Sequence, residues 1–114
     1  MTQAWVVLTS ADGRDIAAPT EKQLAAEIAG VYASPPEADE PASAALRFGY
    51  DDGLMYVVEV CSGGAVRFEE WSDRDCEIAL AAPREMTVSQ ADALQLWRWL
   101  AQRQVAKIRE QAWQ

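Results

Sequence analysis

The chain has no histidine and only two cysteines, Cys61 and Cys76, in 114 residues. The first absence removes the commonest general base and the commonest zinc ligand. Two cysteines are too few for a disulfide scaffold or a four-ligand zinc site; they read as reduced, half-buried strand residues. No apolar run approaches the ~18 residues of a membrane span, so no membrane partner is expected. The N-terminus lacks the basic segment and apolar stretch of a secretory leader, which makes the cytoplasm the expected location. Basic residues are also scarce: 10 Lys and Arg against 18 Asp and Glu give a net charge of −8 and a pI near 4.4. A chain with this balance repels phosphate backbones, so nucleic acid is not an expected partner.

Apolar material is plentiful. Half of the residues are hydrophobic, with five Trp, three Tyr and two Phe among them. That suffices for one real core and a single domain spanning 1–114. Ala4 to Thr9 is short, apolar and β-branched, which predicts a strand. A turn at Asp12-Gly13-Arg14-Asp15 leads into a possible short return strand at Ile16–Ala18. Thr20-Glu21-Lys22-Gln23 has the form of a capping box, and Leu24, Ile28 and Val31 follow at helical spacing. A helix over 20–33 results, stopped by Pro35 and Pro36. Residues 34–43 read as an exposed loop.

The middle of the chain alternates as strands do. Leu46, Phe48 and Tyr50 oppose Arg47 and Gly49, and Asp51-Asp52-Gly53 forms a hairpin turn. Leu54 to Cys61 reads as a central strand, and Gly63-Gly64 as a second turn. Val66 and Phe68 point one way; Arg67, Glu69 and Trp71 point the other. A last strand is expected to place Cys76, Ile78 and Leu80 on one face, with Pro83 ending the sheet. Ser89 or Thr87 then caps a final helix whose stripe is Ala93, Leu94, Trp97, Leu100, Ala101 and Ile108. Trp99 lies off that stripe, to pack on a sheet edge or stay partly exposed, and Val105 is a place for the helix to break. The class is α+β: an antiparallel sheet of about five strands, in chain order β-α-β-β-β-β-α, with helices packed on one face. In this register Cys61 and Cys76 sit at opposite ends of a strand, ~20 Å apart. A disulfide needs Cα atoms within about 7 Å.

Charge is unevenly placed. Residues 37–77 hold eleven acids and three bases, whereas residues 78–114 hold three acids and five bases. The densest stretch runs from Glu69 to Glu77, five acids and one Arg in nine residues. Alternation sends Glu69, Trp71 and Glu77 to the face without helices, joined by Glu59 and Arg67. An aromatic among carboxylates suits a docking patch, because Trp anchors carry binding energy and rim charges steer encounter.

Catalytic and cofactor signals are weak. Asp73-Arg74-Asp75 and Asp51-Asp52-Gly53 lack the spaced ligands and distal Glu of a calcium loop, so no metal is expected. Neither cysteine has a His to activate it. No Lys and no helix follow Ser62-Gly63-Gly64, so it is a turn and not a phosphate loop. An enzyme is not expected, and no cofactor is implied. A nucleotide- or sugar-handling activity would need a deep polar pocket that the sequence does not announce.

The stretch RFGYDDGLMYVVEV (47–60), the Gly63-Gly64 turn, the acidic strand ending in Glu70-Trp71 and the closing helix with Ala112-Trp113-Gln114 resemble the small immunity proteins of bacterial polymorphic-toxin and contact-dependent inhibition systems. The resemblance covers residues 46–114 and is one of pattern. It implies an antitoxin that neutralises a cognate toxin, often a nuclease or deaminase domain, in a one-to-one complex, with acidity matched to a basic cleft. The charge argument then names Glu59, Arg67, Glu69, Glu70, Trp71, Asp73, Asp75 and Glu77 as the toxin-binding surface. The alternative is an acidic secretion chaperone, dimeric through a last helix bearing Trp97, Arg98, Trp99, Arg103, Lys107 and Arg109, that holds an effector protein. Monomer and homodimer both remain open.

Overall fold

The computed structural model describes residues 3–35, 42–51, 53–73, 77–111 and 113. In chain order the elements are β1 (Ala4–Thr9), β2 (Asp15–Ala17), α1 (Glu21–Ala33), β3 (Ser43–Tyr50), β4 (Met55–Cys61), β5 (Ala65–Trp71), β6 (Arg84–Thr87), α2 (Gln90–Ala101) and α3 (Val105–Arg109). The strands form one antiparallel sheet in the order β2-β1-β3-β4-β5-β6. The class is α+β as the pattern indicates, with six strands because the short return strand at Asp15–Ala17 joins the sheet.

Period-two alternation decides what is covered. Leu8, Leu46, Phe48, Val58, Val60, Val66 and Phe68 lie on one face and are buried. Against them pack Leu24, Ile28 and Val31 of α1, Ala93, Leu96, Trp97 and Leu100 of α2, and Val105 and Ile108 of α3. Trp97 is completely buried, and its indole N–H donates to the Val58 carbonyl at 3.0 Å, so the largest core side chain leaves no polar atom unpaired. Thr20 and Gln23 close the capping box as expected: the Thr20 hydroxyl accepts from the Gln23 amide at 3.1 Å, and the Gln23 side chain accepts from the Thr20 amide at 2.8 Å. Tyr32 ties the end of α1 to the entry of α2 by donating its hydroxyl to the Val88 carbonyl at 2.9 Å.

The last strand is a correction. Instead of spanning Cys76 to Leu80 and stopping at Pro83, β6 begins after Pro83 and pairs Arg84–Thr87 with Phe68–Ala65. The earlier segment touches β5 only through the Trp71–Ala79 bridge, leaving Ile78 and Leu80 63% and 53% exposed. Proline cannot donate to a ladder, yet it is tolerated on an edge strand or at a strand's start. Here it divides the outer edge in two. Gly64 helps to seat β6: its φ is +90°, and a Cβ there would lie 2.7 Å from the Val88 carbonyl oxygen.

The final helix breaks before Val105. Arg103 adopts a positive φ of 64°, and the Gln104 amide donates to the Trp99 carbonyl at 2.8 Å. Trp99 is half-buried and lines a hollow with Met86 and Val88, so it packs at the sheet edge. Leu96, outside the expected stripe, is buried. Cys61 carries a free thiol. Cys76 lies outside the described residues, as do most of the 34–43 loop, Asp52, Ala112 and Gln114.

Candidate functional site

Among the described residues no helix lies over the other sheet face. Strand register arranges its side chains in cross-strand rows. At one end stand Trp5, Gly49, Met55 and Trp71. Next come Val7, Arg47, Val57 and Glu69, and then Thr9, Ala45, Glu59, Arg67 and Glu85. Gly49 is required by the first row, because a Cβ at that position would sit 2.5 Å from the Trp5 ring. Met55 and Val57 are only 2% and 8% exposed although no helix covers them, so neighbouring side chains close over them as a small second apolar cluster.

Charges on this face alternate. Arg67 Nε lies 3.6 Å from the Glu69 carboxylate, between Glu59 and Glu85 on the adjoining strands. Arg47 donates to the Thr9 hydroxyl at 2.6 Å and stands 3.5 Å from Asp15. The face is therefore mildly acidic, and much of its charge is already matched within the chain. Among the described residues, the Trp71 indole nitrogen and Arg47 Nε are buried without a partner. Such donors each cost about 1–3 kcal/mol when left unmade.

Of the residues named from sequence, Glu59, Arg67, Glu69 and Trp71 come together on this face. Glu70 does not. It points to the helix-covered side, 6% exposed, where its carboxylate accepts from Arg109 Nε at 3.1 Å and lies 3.5 Å from Arg84. It belongs to the fold and leaves the contact surface. Asp73 accepts from the Glu77 and Ile78 amides at 3.1 and 3.0 Å, which shapes the loop after β5. Glu77 is exposed in that loop and not on a strand. Asp75 lies outside the described residues.

Sequence reasoning missed Trp5, Met55 and Glu85 on this face. Their signal was present in the alternation of residues 4–9 and 84–87, but it needed the neighbours of β1 and β6 to be known. Met55 was hidden inside a run that is apolar almost throughout.

Two hollows open here. One of about 450 Å³ is lined by Glu59, Cys61, Arg67, Glu85 and Thr87, and one of about 350 Å³ by Trp5, Asp15, Arg47, Asp51 and Met55. In the first, burial pushes the Cys61 thiol up, and the Glu59 and Glu85 carboxylates add to the shift. A thiol held protonated is a poor nucleophile and a poor metal ligand. Among the described residues no three His, Cys, Asp or Glu side chains come together as a metal site. No helix among them is long and apolar enough to cross a membrane. No family model, curated protein or solved structure matches the chain.

Proposed function

We propose that this chain is an immunity-type inhibitor that covers a basic domain of a bacterial toxin with the helix-free face of its sheet. The observation that carries the reading is that face itself. Trp5 and Trp71 flank an apolar floor of Met55 and Val57, bordered by Glu59, Glu69 and Glu85, on a chain of net charge −8. Partly exposed aromatics beside carboxylates suit a partner that offers apolar contacts within a basic surround. Occlusion needs no chemistry from this chain. Complementary charge accelerates encounter, and the aromatic anchors slow release.

The chaperone alternative drew on the basic, Trp-bearing last helix, of which Trp97, Arg98 and Arg109 are engaged inside the chain. Trp97 is core, Trp113 stacks on Phe68, Arg98 pairs with Glu21, and Arg109 pairs with Glu70. That leaves Trp99, Arg103 and Lys107 as the groups on which a dimer would have to be built.

The test is recovery of the partner from the source cells on the tagged protein. A basic domain bound one-to-one, toxic when expressed without this chain, is the expected result. A dimer of this chain holding an extended acidic or neutral segment would overturn the reading.

A further inference from the structure

We propose that the divided outer edge of the sheet is a second contact, where an extended segment of alternating apolar and basic residues adds as a seventh strand. This rests on the reading that the partner is a basic protein, and it names the part of the partner that makes the contact. The edge is open in hydrogen-bonding terms. The Ser72 amide donates to the Ile78 carbonyl and the Leu80 amide to the Glu70 carbonyl, both at 2.9 Å, so the backbone groups of Ala79 face outward. Val88 donates inward to Gly64 at 3.0 Å, which by alternation turns Glu85 and Thr87 outward as well. Among the described residues no strand lies beyond β6.

Edges are usually blunted by proline and charge, and Pro83 and Glu85 do that for part of this one. The part before Pro83 is unprotected. Ile78 and Leu80 are the large apolar side chains most exposed among the described residues. The Trp71–Ala79 bridge puts Ala79 on the helix-free side and Ile78 and Leu80 on the other. Beyond Pro83, Glu85 pairs with Arg67 and so falls on the helix-free side. An added strand would therefore meet Ile78 and Leu80 on one face and the Glu85 carboxylate on the other, a period-two pattern that asks for apolar residues alternating with Lys or Arg. A second copy of this chain fits poorly. It would bring its own Glu85 to the same side, with a further charge of −8.

The probe is a capped peptide, Val-Lys-Val-Lys-Val-Lys-Val, titrated to about 1 mM into the ¹⁵N-labelled protein. The expected result is shifted and exchange-protected amides at Ala79, Glu85 and Thr87. Binding should be lost with the Glu-for-Lys peptide and weakened about tenfold by Leu80→Lys, an exposed position where the fold is undisturbed. Shifts confined to Glu59, Arg67 and Glu69 would overturn the edge site while leaving the face reading intact. No shifts, or a doubled mass by light scattering in place of peptide binding, would overturn it too. In the partner complex, weakening by Leu80→Lys but not by Trp71→Ala would instead sink the face and keep the edge.

Discussion

Cys61 shows how a single residue reads its surroundings. Burial, then the charges of Glu59 and Glu85, favour its neutral form, so the folded chain holds that proton more tightly than the unfolded one. As pH rises past the ordinary thiol value of about 8.5, the unfolded state loses its proton first, and stability falls until the folded thiol titrates as well. Alkylation of Cys61 by iodoacetamide, in a Cys76→Ser background, should have its midpoint above about 8.5, and Glu59→Gln should bring that midpoint down. Gly49 is the other sharply constrained position. Its missing Cβ would meet both the Trp5 ring at 2.5 Å and the Leu54 carbonyl oxygen at 2.7 Å, and the second is backbone that cannot swing aside. Gly49→Ala should cost about 1–3 kcal/mol, read from the denaturant midpoint. The sequence marked Gly49 as lying opposite the core face, but nothing in it announced the indole above. Glu70 was misplaced for a different reason. Its neighbours in the acidic run drew it toward the surface, although alternation with Val66 and Phe68 already put it inside.

Among the elements, α1 was fully legible because its signals are local: a cap, a reciprocal Gln and two prolines beyond the end. The hairpins of β3, β4 and β5 were legible for the same reason. β6 was not, since Pro83 looks like a terminator and the apolar Ile78 and Leu80 look like a strand. The pairing that decides the matter is with a distant stretch of β5. α3 is held by a carboxylate that no local pattern reveals. Arg109 donates to Glu70 at 3.1 Å and lies over the Tyr56 ring, Arg84 approaches the same carboxylate, and Trp113 stacks on Phe68. The hydrogen bond from Arg109 to Glu70 pushes the guanidinium's pKa up from an already high value, so Arg109 keeps its charge through the ordinary pH range. Glu70→Ala should strand two guanidiniums and cost about 1–3 kcal/mol, moderated by the solvent that Arg109 still sees. Faster amide exchange at Val105 and Ile108, with α1 unchanged, would locate that loss in α3. An unchanged exchange pattern would show that the apolar contacts of Val105, Ile108 and Trp113 suffice to hold the helix down.

For the molecule as a whole, sequence distinguished an acidic middle from a mildly basic end, and it placed helices on one sheet face. It overstated how far the acidity pools on the other face, because Arg47 and Arg67 lie among the carboxylates there. The kinetic expectation follows from that geometry. Trp71→Ala should raise the off-rate from the partner about tenfold or more with little change in on-rate. Glu59→Lys with Glu69→Lys should lower the on-rate, an effect that shrinks as salt is added. Surface plasmon resonance at two ionic strengths separates the two. If neither set changes binding, the helix-free face is not the contact.

The position of β1 has a consequence for how the chain reaches this state. β3, β4 and β5 join through turns of a few residues, so their contacts close cheaply. β1 sits beside β3 only after α1 and the loop behind it have been spanned, a longer closure that slows pairing. The expected order is therefore hairpins first, with the N-terminal pair docking onto them afterwards. A chain emerging from that first stage already displays Glu59, Glu69 and Trp71, but Met55 waits uncovered until Trp5 arrives to finish the surface.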